Sequence, residues 1–131
     1  MLKIYNTVYE EIIGHAGRDV PYEACGYLLG RNDTISIAYK MTNVDKSAEH
    51  FTFDPAEQFN AIKFARENKL EIAGVYHSHP DTPARPSEED IRLAYDPDIY
   101  HFIVSLVSNP PELKCFSISD GKVERVDYEV V

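Results

Sequence analysis

The chain has 131 residues, an apolar share of 44% and a formal net charge of −9, the make-up of one globular domain large enough to bury a real core. That acidic balance speaks against a nucleic-acid partner, because no basic excess is available to displace backbone counterions. The apolar run at residues 102–107 is far too short to span a bilayer, and the opening MLKIYNTVYEE lacks the basic start and apolar stretch of a signal peptide, so a cytoplasmic protein without membrane contact is expected.

Residues 2–5 read as a short strand. Residues 7–16 read as a helix with Asn6 as N-cap, with Val8, Ile12, Ile13 and Ala16 on one apolar face, and with Gly17 as its stop. Residues 25–30 are a compact apolar run suited to a buried strand; Arg31-Asn32-Asp33 is a turn, and residues 34–41 alternate like the return arm of a hairpin. Residues 50–53 are a further strand candidate. Asp54-Pro55-Ala56-Glu57 is a helix start, with Asp54 capping, Pro55 at the first helical position and Glu57 closing a capping box. That helix should reach residue 68, with Phe59, Ile62 and Ala65 or Phe64 facing inward. Residues 71–79 are apolar on both faces through Ile72, Ala73, Val75 and Tyr76, which places them centrally in a sheet. A loop stiffened by Pro80, Pro83 and Pro86 leads to a short helix over residues 87–95. Residues 100–107 and 113–119 are strands, and Asp120-Gly121 is a tight turn into a last strand over residues 122–130. With no linker, repeat or low-complexity stretch, residues 1–131 are expected to form a single α+β or mixed domain: a sheet of about six to eight strands with two or three helices.

Side chains alternate along a strand, so His77 and His79 point to the same side, and Pro80 ends the strand beside them. Asp90 follows shortly downstream. Two imidazoles and a carboxylate, with a fourth position left to water, describe a catalytic rather than a structural zinc site. Each part also has a plainer reading. An HxH pair serves equally as surface imidazoles at a strand end. Ser87-Glu88-Glu89-Asp90 is a good helix N-terminus, which would hold Asp90 in the first turn beside Ser87. Glu23, just before the apolar run, reads equally as a solvated carboxylate at a strand edge. Cys25 and Cys115 form no CxxC pair and read as buried reduced thiols; His15, His50 and His101 read as packing or surface residues.

In combination these elements are more specific. His77-Ser78-His79-Pro80, with seven residues between His79 and Ser87 and two more before Asp90, resembles the JAMM signature of the MPN+ metalloprotease family. Glu23-Ala24-Cys25-Gly26-Tyr27-Leu28-Leu29-Gly30 is similar to the family's upstream glutamate motif, and Phe51-Thr52-Phe53-Asp54-Pro55 to the strand-to-helix junction of its prokaryotic members. The resemblance implies a curved MPN-type sheet and a compact prokaryotic zinc peptidase or isopeptidase. In it His77, His79 and Asp90 would ligate one Zn2+, Glu23 would be the general base, and Ser87 would hydrogen-bond the oxyanion or the water. The implied partner is a ubiquitin-like or sulfur-carrier protein, cut after a C-terminal Gly-Gly that could lie as an added strand beside an exposed edge. Two rivals stand beside this reading: an inactive MPN-type scaffold, and an iron oxygenase built on a two-histidine, one-carboxylate facial triad.

Overall fold

Local turn chemistry fixes the first pairings in the computed structural model, which describes residues 1–131. β2 (Cys25–Arg31) folds back on β3 (Thr34–Met41) through Asn32 and Asp33, whose φ values of 53° and 60° are the two left-handed conformations that a tight hairpin needs. β6 (Glu112–Ser119) and β7 (Lys122–Val126) are joined in the same way through Asp120 at 51° and Gly121 at 76°. β4 (Glu71–His79) lies between antiparallel β2 and parallel β5 (Tyr100–Ser105), and the chain crosses from β4 to β5 by way of α3 (Glu88–Arg92).

With β1 (Leu2–Ile4) and β8 (Tyr128–Val130), the strands form one mixed sheet in the order β7-β6-β5-β4-β2-β3-β1-β8. Its outermost strands, β7 and β8, are consecutive in the chain and separated only by Asp127. One bent strand thus pairs with β6 along its first half and with β1 along its second. The sheet must therefore curl until its two margins meet, close to a barrel. The expected last strand over residues 122–130 is this kinked pair.

α1 (Asn6–Asp19) covers one face: Val8, Ile12 and Ala16 pack with Leu28, Ile35, Tyr76 and Phe102 in the larger core. α2 (Pro55–Glu67) covers the other, where Ala61 and Ala65 meet Tyr27, Leu29 and Met41. β4 is thus covered on both faces, as its doubly apolar sequence predicts.

Several local expectations are corrected. Tyr5, not Asn6, is the N-cap of α1, and Asn6 lies inside the helix with its side chain bonded to Glu10. Gly17 does not stop the helix: a helical glycine costs only about 1 kcal/mol, which a buried face offsets. The helix ends where Pro21 forces Val20 into an extended conformation (φ −52°, ψ 140°). Asp54 caps α2 as expected, but the Glu57 carboxylate turns away from the cap and accepts the Thr42 N–H (2.7 Å) and hydroxyl (2.9 Å). Phe59 and Ile62 do not face inward; they are 68% and 42% exposed. The sheet beneath instead takes Ala61 and Ala65, with Phe64 packed beside Tyr39. Residues 50–53 make a single bridge, Asn43↔Phe53, because the segment before them is organised around the Asn43 side chain.

Candidate metal centre

The site forms where β4 ends. His77 and His79 project to the α2 side and are buried, at 2% and 4% exposed. Ser78, between them, points the opposite way. Its hydroxyl accepts the Ala24 N–H at 2.7 Å, and its own N–H donates to the Ala24 carbonyl at 3.0 Å. Glu23, next in the chain, is pinned at its backbone: its N–H donates to Ser47 O (2.8 Å), and its carbonyl accepts from Asn43 Nδ2 (3.1 Å). These ties hold the Glu23 side chain in the interior at 3% exposure, with Oε1 buried and unpartnered. Burial pushes its carboxyl up to about 8; His79 pulls against this, while Asp90 and Glu89 add to it.

Asp90 comes from the first turn of α3 and serves that helix as well. Its Oδ2 accepts the Ser87 N–H (2.9 Å) and its own N–H donates to Ser87 Oγ (3.0 Å), a reciprocal capping box. The same Oδ2 lies 3.1 Å from His77 Nε2 and 3.3 Å from His79 Nε2, and the two Nε2 atoms are 3.1 Å apart. Capping and convergence therefore coexist at one carboxylate. Burial opposes ionisation of Asp90, but the two imidazoles outweigh it and hold the carboxyl well below its usual range. Burial likewise opposes the charged form of His79, yet bonding to Asp90 and to the Pro83 carbonyl raises it on balance.

A metal ion fits this donor set. The Pro83 carbonyl, 2.9 Å from His79 Nδ1, can only accept, so in neutral His79 the proton sits on Nδ1 and Nε2 presents a lone pair. The His79 lone pair, His77 Nε2 and one carboxylate oxygen then converge on one point, all within 3.3 Å of one another. Their separations match the roughly 3.3–3.4 Å edges of a tetrahedron drawn with zinc–ligand bonds of about 2.0–2.1 Å. His77, His79 and Asp90 form the one such cluster in the molecule.

Beside the cluster lies a cavity of 630 Å³, whose walls include His77, Asp90, Phe51, Phe53 and Leu93. The His77 ring packs on Phe51, with centroids 4.9 Å apart. Ser87 borders the convergence through its two bonds to Asp90, whereas the cysteines, His15 and His50 lie apart from it. Ser87 is exposed at the helix start. Cys25 and Cys115 are free and buried, and burial pushes both thiols up to about 12, which makes them inert. His15 is buried against the Tyr76 hydroxyl (2.7 Å) and Asp19 (3.1 Å), and His50 pairs with Asp45 (3.1 Å). His101 is half-buried and lines the same cavity as His77. Burial, and then His77, lower its pKa.

Sequence reasoning missed Ser78, Asn43 and Pro83 as supports of the site. Ser78 carried a signal, being a hydroxyl on a strand face otherwise apolar. Asn43 carried none.

The model of prokaryotic homologues of the JAB domain matches residues 6–119. The CysO-cysteine peptidase of Mycobacterium tuberculosis is 36% identical over 135 residues, covering 100% of this chain and 92% of that protein. A desampylase of Haloferax volcanii is 30% identical over 103 residues, covering 73% of this chain and 74% of the other. Among solved structures, protein DSY2949 from Desulfitobacterium hafniense superposes with a TM-score of 0.90 at 40% identity, covering 100% of this chain and 93% of that one. A structure described as JAMM, a metalloprotease-like zinc site in the proteasome and signalosome, superposes with a TM-score of 0.64 at 26% identity, covering 100% and 98%.

Proposed function

The chain belongs to the family of prokaryotic JAB-domain homologues and is a JAMM-type hydrolase; from that premise we propose that it is a zinc-dependent peptidase or isopeptidase, cutting after the C-terminal Gly-Gly of a ubiquitin-like or sulfur-carrier protein. The observation that carries this reading is the convergence of His77 Nε2, His79 Nε2 and Asp90 Oδ2 within 3.3 Å of one another, with Glu23 buried close by. The names of the relatives support the substrate class: one is a CysO-cysteine peptidase, another a desampylase.

His77, His79 and Asp90 would hold the ion, which when bound would supply an acidified water, with a pKa of about 7, and Lewis-acid polarisation of the scissile carbonyl. Glu23 takes the proton of the attacking water on its carboxylate and passes it to the leaving amine. A carboxylate can work in both directions only if its pKa lies near the working pH, and burial already raises that of Glu23. Ser87 Oγ accepts from Asp90 N–H, which leaves its own proton free to donate to the developing oxyanion.

The test is to incubate the metal-replete protein with ubiquitin-like and sulfur-carrier proteins bearing a residue or a conjugate after Gly-Gly, and to weigh the products. Cleavage after the second glycine is expected, and its loss in Glu23→Gln with zinc content unchanged. Uniformly intact carriers would rule out the substrate class; full activity of Glu23→Gln would rule out the base.

A further inference from the structure

Two buried imidazole nitrogens take no part in the chemistry above, and both are without a partner: His77 Nδ1 and His101 Nε2. They stand on the same face of neighbouring strands. In the parallel β4–β5 ladder Val75 is level with His101 and His77 with Ile103, so His77 is one same-face position beyond His101. Strands about 4.8 Å apart with a rise of about 3.3 Å per residue place the two Cβ atoms roughly 8 Å from each other. The two nitrogens are not bonded to each other as they stand, and a turn of the His101 ring toward His77 closes that gap. Both rings line the one cavity beside the metal cluster.

The two histidines of the cluster are unequally supported. His79 has its Nδ1 fixed by the Pro83 carbonyl, which leaves Nε2 as the free lone pair. His77 must present Nε2 to the same point, so its Nδ1 must carry the proton, yet no carbonyl or carboxylate receives it. A metal-binding histidine almost always donates its other N–H to a second group, and loss of that group typically weakens metal binding about 10–100-fold.

We propose that His101 is the positioning residue for His77: once metal binds, the His101 ring turns so that its Nε2 accepts the His77 Nδ1–H, and so locks the tautomer and ring orientation that His77 needs to hold the metal. This rests on the zinc reading of the cluster. The proposed acceptor is an imidazole contributed by the adjoining strand, whereas His79 is served by a loop carbonyl.

The experiment compares wild type, His101→Phe and His101→Gln for zinc affinity, by competition with a chromophoric chelator, and for stability without metal. Phe should weaken zinc about 10–100-fold, and Gln, whose carbonyl can accept, should restore most of the loss. In wild type labelled with 15N, zinc-loaded His101 Nε2 should resonate as an unprotonated, pyridine-type nitrogen, and His77 Nδ1 as a protonated one. A protonated His101 Nε2 would overturn the proposal, because a donor cannot accept. So would zinc affinity in the Phe variant within threefold of wild type. Failure of wild type itself to bind zinc would overturn both this proposal and the metal reading, whereas tight zinc in wild type and in the Phe variant alike would overturn this one alone.

Discussion

Replacing Glu23 by glutamine should change how stability depends on pH in the metal-free protein. Glu23 is 3% exposed, and burial lifts its pKa from an ordinary 4.5 to about 8. Between these two values the unfolded chain has released the proton while the folded chain keeps it, so unfolding is favoured as pH rises. Stability from this group is fully present below 4.5 and declines by about 1.4 kcal/mol per pH unit until the folded carboxyl ionises near 8. Over that window the loss sums to about 5 kcal/mol. Glutamine is close in shape and carries no proton to lose, so Glu23→Gln should lack this decline. The assay is urea unfolding of both proteins in chelator from pH 4.5 to 9, taken as a difference so that every other titration cancels. The two curves should separate steadily and then run parallel above about pH 8. Saturating zinc should shrink the separation, since a nearby dication favours the carboxylate. Curves parallel throughout would show that Glu23 is hydrated rather than enclosed, and would remove the physical ground for its role as a base.

Three further outcomes are expected. Asp90→Ala should abolish tight zinc binding, measured by metal content after dialysis, and cost about 1 kcal/mol through loss of the α3 capping box; unchanged zinc would reduce Asp90 to a cap. Ser78→Ala leaves the buried Ala24 N–H without its acceptor and should cost about 1–3 kcal/mol in urea unfolding. Zinc affinity should hold in that variant while kcat falls, because the segment carrying Glu23 is loosened; equal kcat would separate Ser78 from the site. Phe59→Ser should change stability by no more than about 0.5 kcal/mol, whereas Ala61→Leu should cost about 1–3 kcal/mol by overpacking against the sheet, and the reverse order in thermal unfolding would contradict the orientation of α2.

The residues whose geometry is dictated locally were the legible ones. Alternation along β4 put His77 and His79 on one side, Ser87 as N-cap put Asp90 in the first turn of α3, and turn residues marked both tight hairpins. Residues decided by tertiary packing were not. In α2 the expected inward positions Ala65 and Phe64 do meet the sheet, but Phe59 and Ile62 do not, and only the surface of the sheet selects Ala61 in their place. Glu57 had a local partner in prospect but found a distant one in Thr42. The burial of Glu23 depends on Asn43 and Ser47, about twenty residues away in the chain, whose hold on its backbone has no short-range pattern.

The bent strand formed by β7 and β8 has a consequence for the order in which the molecule assembles. It joins Leu2 to Tyr128, from opposite ends of the sequence, so the closing seam is among the most sequence-remote contacts in the fold. Loop-closure entropy grows only logarithmically, so the penalty in stability is slight, but remote pairings come late in folding. The tight hairpins β2–β3 and β6–β7 are local and should form early, with the strand carrying both histidines laid against the first of them before the seam is made. Hydrogen exchange followed during refolding would then show β2–β3 amides protected ahead of those between β1 and β8. The metal cluster, spanning only residues 77–90, can be assembled while the barrel is still open, and closure of the seam fixes what is already in place.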